Sequence, residues 1–86
     1  MRLTQPTDFV ILDLLSDGER YTPSYAHEVL VDEHGFKESY VRNRMWRLHG
    51  EGLLDKLGDS SLYVITPLGR AALELQHEYE HGTHRE

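Results

Sequence analysis

Side chains that can bind DNA are concentrated between Lys37 and Gly50. This stretch holds four of the chain's nine lysine and arginine residues, against the single acid Glu38. Arginine, lysine and asparagine are the side chains that most often contact the phosphates and base edges of duplex DNA. The stretch is therefore a candidate reader of double-stranded DNA.

Helical spacing separates this stretch into two faces. At about 100° per residue, Val41, Met45 and Leu48 fall on one apolar side. The opposite side presents Ser39, Asn43 and Arg47. The pattern predicts a helix over 38–50 with a buried apolar face and an exposed polar face. The alternative interpretation is a solvated basic face on an ordinary core helix.

The side chains on the polar face have different predicted roles. Arg47 and Asn43 point outward, which suits guanine and adenine readout respectively. Arg42 and Arg44 lie on the flanks and suit phosphates, with an ion pair to an acid of the preceding helix as the alternative for Arg44. Tyr40 is interpreted either as a contact to phosphate or a thymine methyl group, or as a half-buried packing residue.

Trp46 is the least clear member of the helix. It lies on the outer side of the wheel, yet tryptophan is highly buried on average. We therefore expect its ring to pack against a neighbouring element, and do not assign it to the site.

Composition limits the possible functions. The 86 residues suit one domain with a small core, and the absence of cysteine excludes disulfides and Cys-type zinc sites. No segment is apolar enough for a signal peptide or membrane span, so we expect a cytoplasmic protein. The net charge of −6 counts against nucleic-acid binding. At molar salt, however, the Debye length falls to about 3 Å, and distant acids then barely repel DNA.

Helix signals precede the candidate reader. Thr7 is a predicted N-cap for a first helix ending near Leu15, and Thr22-Pro23 begins a second helix that runs to about Asp32. Gly35 then supplies a sharp turn, and Phe36 is expected to fill the core between the helices. Helix, short glycine turn and helix form a helix-turn-helix pattern.

Two short strands are predicted after the reader. Residues 53–57 and 62–65 are strand-like, and the turn 58–61 joins them into a wing. Residues 19–21 are expected to be extended as a small edge strand. The predicted fold is mainly α with a small β wing (α+β), a winged helix-turn-helix. Its domain spans 7–80, between an N-terminal arm (1–6) and a flexible tail (81–86).

The last helix is predicted to start at Thr66-Pro67. Its expected buried stripe consists of Leu68, Ala72, Leu75 and Tyr79, with Ala71 beside it. Leu73 falls off that stripe, either as an isolated exposed residue or as a dimer contact. The predicted homodimer contact, from the first and last helices, comprises Phe9, Leu73, Leu75 and Tyr79.

The order of these motifs resembles a known family. The run Tyr40-Val41-Arg42-Asn43-Arg44-Met45, followed by Gly52-Leu53, a wing, Tyr63-Val64-Ile65-Thr66 and Gly69-Arg70, is similar to archaeal winged helix-turn-helix regulators. It looks most like a small haloarchaeal group that includes a halophage repressor, over about residues 8–75. The resemblance implies a sequence-specific DNA-binding transcriptional regulator, a repressor in function, usually homodimeric and without a cofactor. The acid-rich, lysine-poor composition agrees with a halophilic source.

The chain departs from the family pattern at two places. Lys37 stands where such helices often have a Ser or Thr cap, whose loss costs about 1 kcal/mol. Ser39 is an alternative cap for a later helix start. At the wing tip, Asp59 replaces the usual Arg or Lys. Lys56 and Ser60 remain as weak wing contacts to DNA.

Other functional classes have less support. His77 and His81 are spaced i, i+4 with His84 nearby, but a solvated tail explains them better than a metal site. The chain has no phosphate loop and no nucleophile–base motif, so we do not expect an enzyme, and no small-molecule effector is evident. The main alternative is a winged helix used for protein contacts in a transcription or replication assembly, which the acid surplus favours.

Overall fold

The described residues form four α-helices and a two-stranded antiparallel sheet, the predicted winged helix-turn-helix fold. The computed structural model describes the backbone of residues 6–82 and the side chains of residues 6–78. In chain order the elements are α1 (Pro6–Leu14), a 3₁₀ turn (Leu15–Asp17), α2 (Pro23–His34), α3 (Glu38–Gly50), β1 (Leu54–Lys56), β2 (Tyr63–Ile65) and α4 (Pro67–Gly82). The predicted arm and tail lie largely outside the described residues.

The helix-turn-helix is built by the predicted local signals. The Thr22 side chain accepts a hydrogen bond from the Tyr25 amide at the start of α2, and Pro23 occupies the first turn. Gly35 ends α2 with φ 69°, a left-handed conformation that glycine adopts without strain. Lys37 provides no side-chain cap, yet α3 begins directly after it. The predicted alternative of a later start capped by Ser39 is therefore wrong.

α1 begins two residues earlier than expected, since an N-cap at Thr7 would make Asp8 the first helical residue. Pro6 is its first residue, so Thr7 lies inside the first turn and is not the N-cap. The Thr7 side chain is buried and donates a hydrogen bond to the Tyr40 hydroxyl at 3.2 Å. The hydroxyl thus joins α1 to α3. Phe36 is half-buried against the core and stacks on His34.

The wing is a short hairpin in antiparallel register. Leu54 pairs with Ile65, and Lys56 pairs with Tyr63. Tyr21 exchanges two backbone hydrogen bonds with Tyr63, of 2.9 and 2.8 Å. The predicted edge strand at 19–21 is thus a single bridge that attaches the α1–α2 connection to the wing.

The core lies between the helices and the base of the wing. Val41 and Met45 are fully buried, and Leu48 is almost so, as the helical spacing predicted. The other buried apolar side chains of the described region are Ile11, Leu12, Leu15, Tyr21, Ala26, Leu30, Leu53, Leu54, Tyr63, Ile65 and Leu73.

The predicted buried stripe of α4 is wrong at Leu68 and Leu75, whereas Ala72 does pack against the core. Leu73 is 7% exposed and belongs to the core, whereas Leu75 is 63% exposed and Leu68 is 48% exposed. Gly69 explains this orientation, because a Cβ there would overlap the carbonyl oxygen of Leu53. The helix can approach Leu53, the residue before β1, this closely only along its glycine face, and Leu73 lies on that face one turn later.

The threonine and arginine beside Gly69 hold α4 in this orientation. The Thr66 hydroxyl accepts a hydrogen bond from the Gly69 amide at 2.9 Å, and it can donate to the Gly52 carbonyl oxygen at 2.7 Å or to that of Leu53 at 3.0 Å. The Arg70 guanidinium donates to the Ser16 carbonyl at 2.9 Å, within the 3₁₀ turn. The motif Thr-x-x-Gly-Arg therefore has a structural role in this chain. No helix of the described region is long and apolar enough to cross a membrane.

Candidate nucleic-acid interface

The outer face of α3 presents a row of polar side chains to solvent. Ser39, Asn43 and Arg47 are all exposed, as predicted, while the opposite face of the helix is buried. Within the described part of the chain, neither Asn43 nor Arg47 has a side-chain hydrogen-bonding or ionic partner. Lys37 is also exposed, at the start of the helix. This row is available to an external ligand.

Arg44 is not part of the exposed row. Its guanidinium forms a bidentate pair with Asp8 of α1, with Nε–Oδ1 at 2.8 Å and Nη2–Oδ2 at 2.7 Å. Only 13% of the Arg44 side chain is exposed. The hydrogen bonds to Asp8 raise the pKa of Arg44. The prediction that Arg44 contacts phosphate is therefore wrong. The alternative, an ion pair with an acid of another helix, is correct, although that acid lies in α1 rather than α2.

Arg42 is exposed on the flank of α3, but it is also paired. Its Nη2 donates to Glu38 Oε2 at 2.7 Å, and the Ser24 hydroxyl of α2 donates to the same oxygen at 2.7 Å. The bond from Ser24, followed by that from Arg42, lowers the pKa of Glu38. Glu38 is therefore ionised at neutral pH, and it connects the first turns of α2 and α3.

Tyr40 is a half-buried packing residue, as one of its two interpretations predicted, and its contact to DNA stays a prediction. Its ring lies edge-on to Phe36, with centroids 5.8 Å apart, and its hydroxyl accepts the bond from Thr7. The residue is nevertheless 37% exposed on the outer side of α3. One edge of the ring is thus packed, while the other remains accessible to a ligand.

The expectation that Trp46 packs against a neighbouring element is wrong. The side chain is 57% exposed, and its described ring contact is with His49 of the same helix, at 5.5 Å. The sequence contained the correct signal, since the helical wheel placed Trp46 on the outer side. The general burial of tryptophan was the weaker argument here.

A cleft of about 430 Å³ lies beside the exposed row of α3. Its walls are the start of α2, the outer face of α3 and the wing. The lining residues are Thr22, Pro23, Ser24, Ser39, Arg42, Asn43, Trp46, Ser61 and Tyr63. Ser24 was not predicted as a site residue, because only the tertiary fold brings it to α3. The cleft combines hydroxyl, amide and guanidinium groups with an aromatic wall.

The wing contributes less than α3. The Ser60 hydroxyl donates to the Leu57 carbonyl and accepts from the Leu62 amide, so it closes the turn. Lys56 is half-buried in β1, and Asp59 is exposed at the tip. Ser61 is the wing residue that reaches the cleft together with Tyr63.

The remaining predicted sites lie on α1 and α4. Phe9 is half-buried against the core, with its ring 5.0 Å from that of His77. Leu73 is buried, so the reason for choosing it as a dimer contact is removed, whereas Leu75 is exposed. The side chains of Tyr79, His81 and His84 lie outside the described residues. Among the described side chains, no group of three or more histidine, cysteine or acidic residues could hold a metal ion.

Two solved structures have the same fold over most of this chain. One structure concerns the mechanism for regulation of DNA binding of Bordetella bronchiseptica BpsR by 6-hydroxynicotinic acid. The match to it covers 88% of this chain, with a TM-score of 0.71 and 25% sequence identity. The other is the reduced form of MarR from E. coli, with a TM-score of 0.71 and 22% identity over 86% of this chain. The chain spans only 54% and 52% of those two proteins. No protein-family model and no curated protein matches the sequence.

Proposed function

We propose that this protein is a transcriptional regulator that inserts α3 into the major groove of double-stranded DNA. The observation that carries the proposal is the exposed row of α3, in which Asn43 and Arg47 have no side-chain partner within the described chain. A polar row on a helix whose other face is buried is the arrangement of a recognition helix. The similarity to BpsR, whose structure concerns regulated DNA binding, supports this choice.

The proposed contacts divide between bases and backbone. Arg47 reads guanine and Asn43 reads adenine, because each can form two hydrogen bonds with the base edge in the major groove. Ser39, Lys37 and Tyr40 contact the flanking phosphates. The sugar–phosphate backbone at the edge of the major groove lies along the cleft, between α3 and the wing. There, Trp46 packs against deoxyribose and Ser61 contacts phosphate. Lys56 and Ser60 are secondary contacts of the wing.

The proposal includes a homodimer that contacts through α4. Leu68, Ala72 and Leu75 are spaced by four and three residues, the spacing of a helix–helix seam, and Tyr79 continues it. Leu68 and Leu75 are both exposed in the single chain. Two copies related by a two-fold axis would place their α3 helices in successive major grooves, about 34–36 Å apart. A dimer bound across a promoter would act as a repressor.

Binding of labelled duplex DNA tests the proposal directly. Sequences selected from random duplexes would be titrated by fluorescence anisotropy, in 0.15 M and in molar KCl because the composition resembles that of halophilic proteins. Arg47→Ala should weaken binding to the selected sequence by about 1–3 kcal/mol and relax the preference at one base pair. Arg20→Ala is the matched control, since Arg20 is exposed outside both α3 and the cleft lining. Equal affinities of wild type and Arg47→Ala would reject α3 as the reader.

A protein-contact module is the second candidate. It is favoured by the surplus of fifteen acids over nine bases, and by the pairing of both Arg42 and Arg44 with carboxylates. Such a module would select no sequence from the random duplexes and would show no salt-dependent affinity for DNA. The same titration therefore separates the two functions.

A further inference from the structure

One oxygen of Glu38 accepts two hydrogen bonds at the edge of the cleft. The Ser24 hydroxyl and the Arg42 guanidinium, both of which line the cleft, each donate to Oε2 at 2.7 Å. A hydroxyl and a guanidinium that converge on one anionic oxygen form the contacts that a phosphate oxygen receives in protein–DNA complexes. In the free protein, that oxygen belongs to the chain's own carboxylate.

The surroundings keep this carboxylate charged and in place. Glu38 is the first residue of α3, where the helix dipole favours an acid, and Lys37 provides no competing side-chain cap. The groups of α2 and α3 that face it are Arg42, whose positive charge favours the ionised carboxylate, and the imidazole of His27. The donors are therefore occupied at neutral pH.

We propose that Glu38 occupies the position that a DNA backbone phosphate takes in the complex, and so lowers the affinity of the cleft for DNA. The proposal rests on the proposed function. Docking of a phosphate requires Glu38 to release both Ser24 and Arg42 and to move away from a like charge. Binding through the backbone alone is weakened as a result, because it is dominated by electrostatic contacts.

The test is Glu38→Gln, titrated with a labelled 30-bp duplex of random sequence by fluorescence anisotropy between about 0.05 and 0.3 M KCl. The amide has the same shape but no charge, so it does not hold Arg42 as strongly. The affinity should rise about three- to tenfold at 0.1 M salt, and the slope of log affinity against log salt should steepen by about one phosphate contact. Because the probe has no fixed sequence, no operator is needed.

Two further variants separate this effect from a general change of charge. Glu33→Gln removes the same charge from a side chain that is 82% exposed near the end of α2, away from the cleft lining. It should change the affinity less than twofold. The double variant Glu38→Gln/Arg42→Ala should lose most of the gain, since the released guanidinium is then absent. Thermal unfolding of each variant shows whether the fold is retained.

The outcomes distinguish this proposal from the proposed function. If the wild type binds DNA and Glu38→Gln binds equally or more weakly, Glu38 does not compete with phosphate, and the proposal is wrong while the function stands. An equal gain for Glu33→Gln would overturn the proposal as well. If neither the wild type nor Glu38→Gln binds any duplex, both the proposal and the proposed function are wrong.

Discussion

Asp8 of α1 and Arg44 of α3 form a buried bidentate ion pair. Both nitrogen–oxygen distances are below 3 Å, at 2.8 and 2.7 Å, and only 5% of the Asp8 side chain is exposed. No buried side-chain polar atom of the described region lacks a hydrogen-bond partner. The pair joins residues 36 positions apart and, together with the bond from Thr7 to Tyr40, links α1 to α3.

Asp8→Ala should destabilise the fold, because it leaves the Arg44 guanidinium buried without its counter-ion. Removing one partner of a buried pair costs about 3–5 kcal/mol. The double variant Asp8→Ala/Arg44→Met should recover much of this loss, since both charges are then absent. Urea unfolding of the three proteins measures the difference. A single variant as stable as the wild type would show that the pair does not position α3.

Trp46→Ala should weaken DNA binding without unfolding the protein. The exposed indole contributes little to stability, so the change in unfolding free energy should stay within about 0.5 kcal/mol. The loss of binding should be about 1–2 kcal/mol, as for an aromatic side chain at an interface. Trp46 is also the single tryptophan of the chain, so its fluorescence reports on the cleft directly. Emission unchanged by saturating duplex would place DNA away from the cleft.

Leu75→Glu should give a folded monomer, and Leu73→Glu should unfold. The first substitution puts a charge on the exposed side of α4, while the second puts one in the core. Light scattering and circular dichroism measure mass and folding, with Glu74→Gln as an exposed control on the same helix. A Leu75→Glu protein that remains dimeric would exclude the α4 seam as the contact.

Gly69→Ala should destabilise the protein even though alanine is the better helix former. The added Cβ would overlap the Leu53 carbonyl and lie 2.9 Å from Ile65 Cγ1. We expect a loss of about 1–3 kcal/mol from overpacking, reduced by the gain in helix propensity. Gly50→Ala is the matched control, because nothing lies within 4 Å of its added Cβ. It should be neutral or stabilising by up to about 1 kcal/mol.

Tyr21→Phe should change the pH dependence of stability at both ends of the range. The Tyr21 hydroxyl donates to Asp17 at 2.6 Å, which raises the pKa of Tyr21 from 10.0 to about 12 and lowers the pKa of Asp17 below 3.8. The raised pKa of Tyr21 means that its hydrogen bond stabilises the folded state fully below pH 10. This stabilisation is lost as the pH rises towards 12. The lowered pKa of Asp17 means that its carboxylate stabilises the folded state fully above pH 3.8. This stabilisation is lost as the pH falls through the lowered pKa of Asp17.

The advantage of wild type over Tyr21→Phe should therefore be greatest between about pH 5 and 9. Thermal unfolding at a series of pH values measures it. Tyr25→Phe serves as the control, since Tyr25 is exposed, its hydroxyl forms no described hydrogen bond, and phenylalanine keeps the ring contact with Tyr21 at 5.6 Å. A constant difference between wild type and Tyr21→Phe across the range would contradict the hydrogen bond to Asp17.

Local sequence patterns were sufficient to predict the helix-turn-helix and the wing. The spacing of Val41, Met45 and Leu48 determined which face of α3 is buried, and it placed Asn43 and Arg47 in solvent. Thr22-Pro23, Thr66-Pro67 and Gly35 marked their helix ends through bonds within a few residues. These features follow from the sequence because the interactions that produce them are short-range.

The tertiary structure decided the remaining features, each through a long-range contact. Arg44 is buried because it pairs with Asp8, which lies 36 residues earlier in the chain, in another helix. The sequence of α4 contains two apolar faces, either of which could be buried. The close approach of Gly69 to Leu53 selects the face that carries Leu73. The cleft exists only where α2, α3 and the wing meet, and Trp46 stays exposed because no element covers that side of α3 in the described chain. Periodicity cannot show these outcomes, since it carries no information about which distant residues come together.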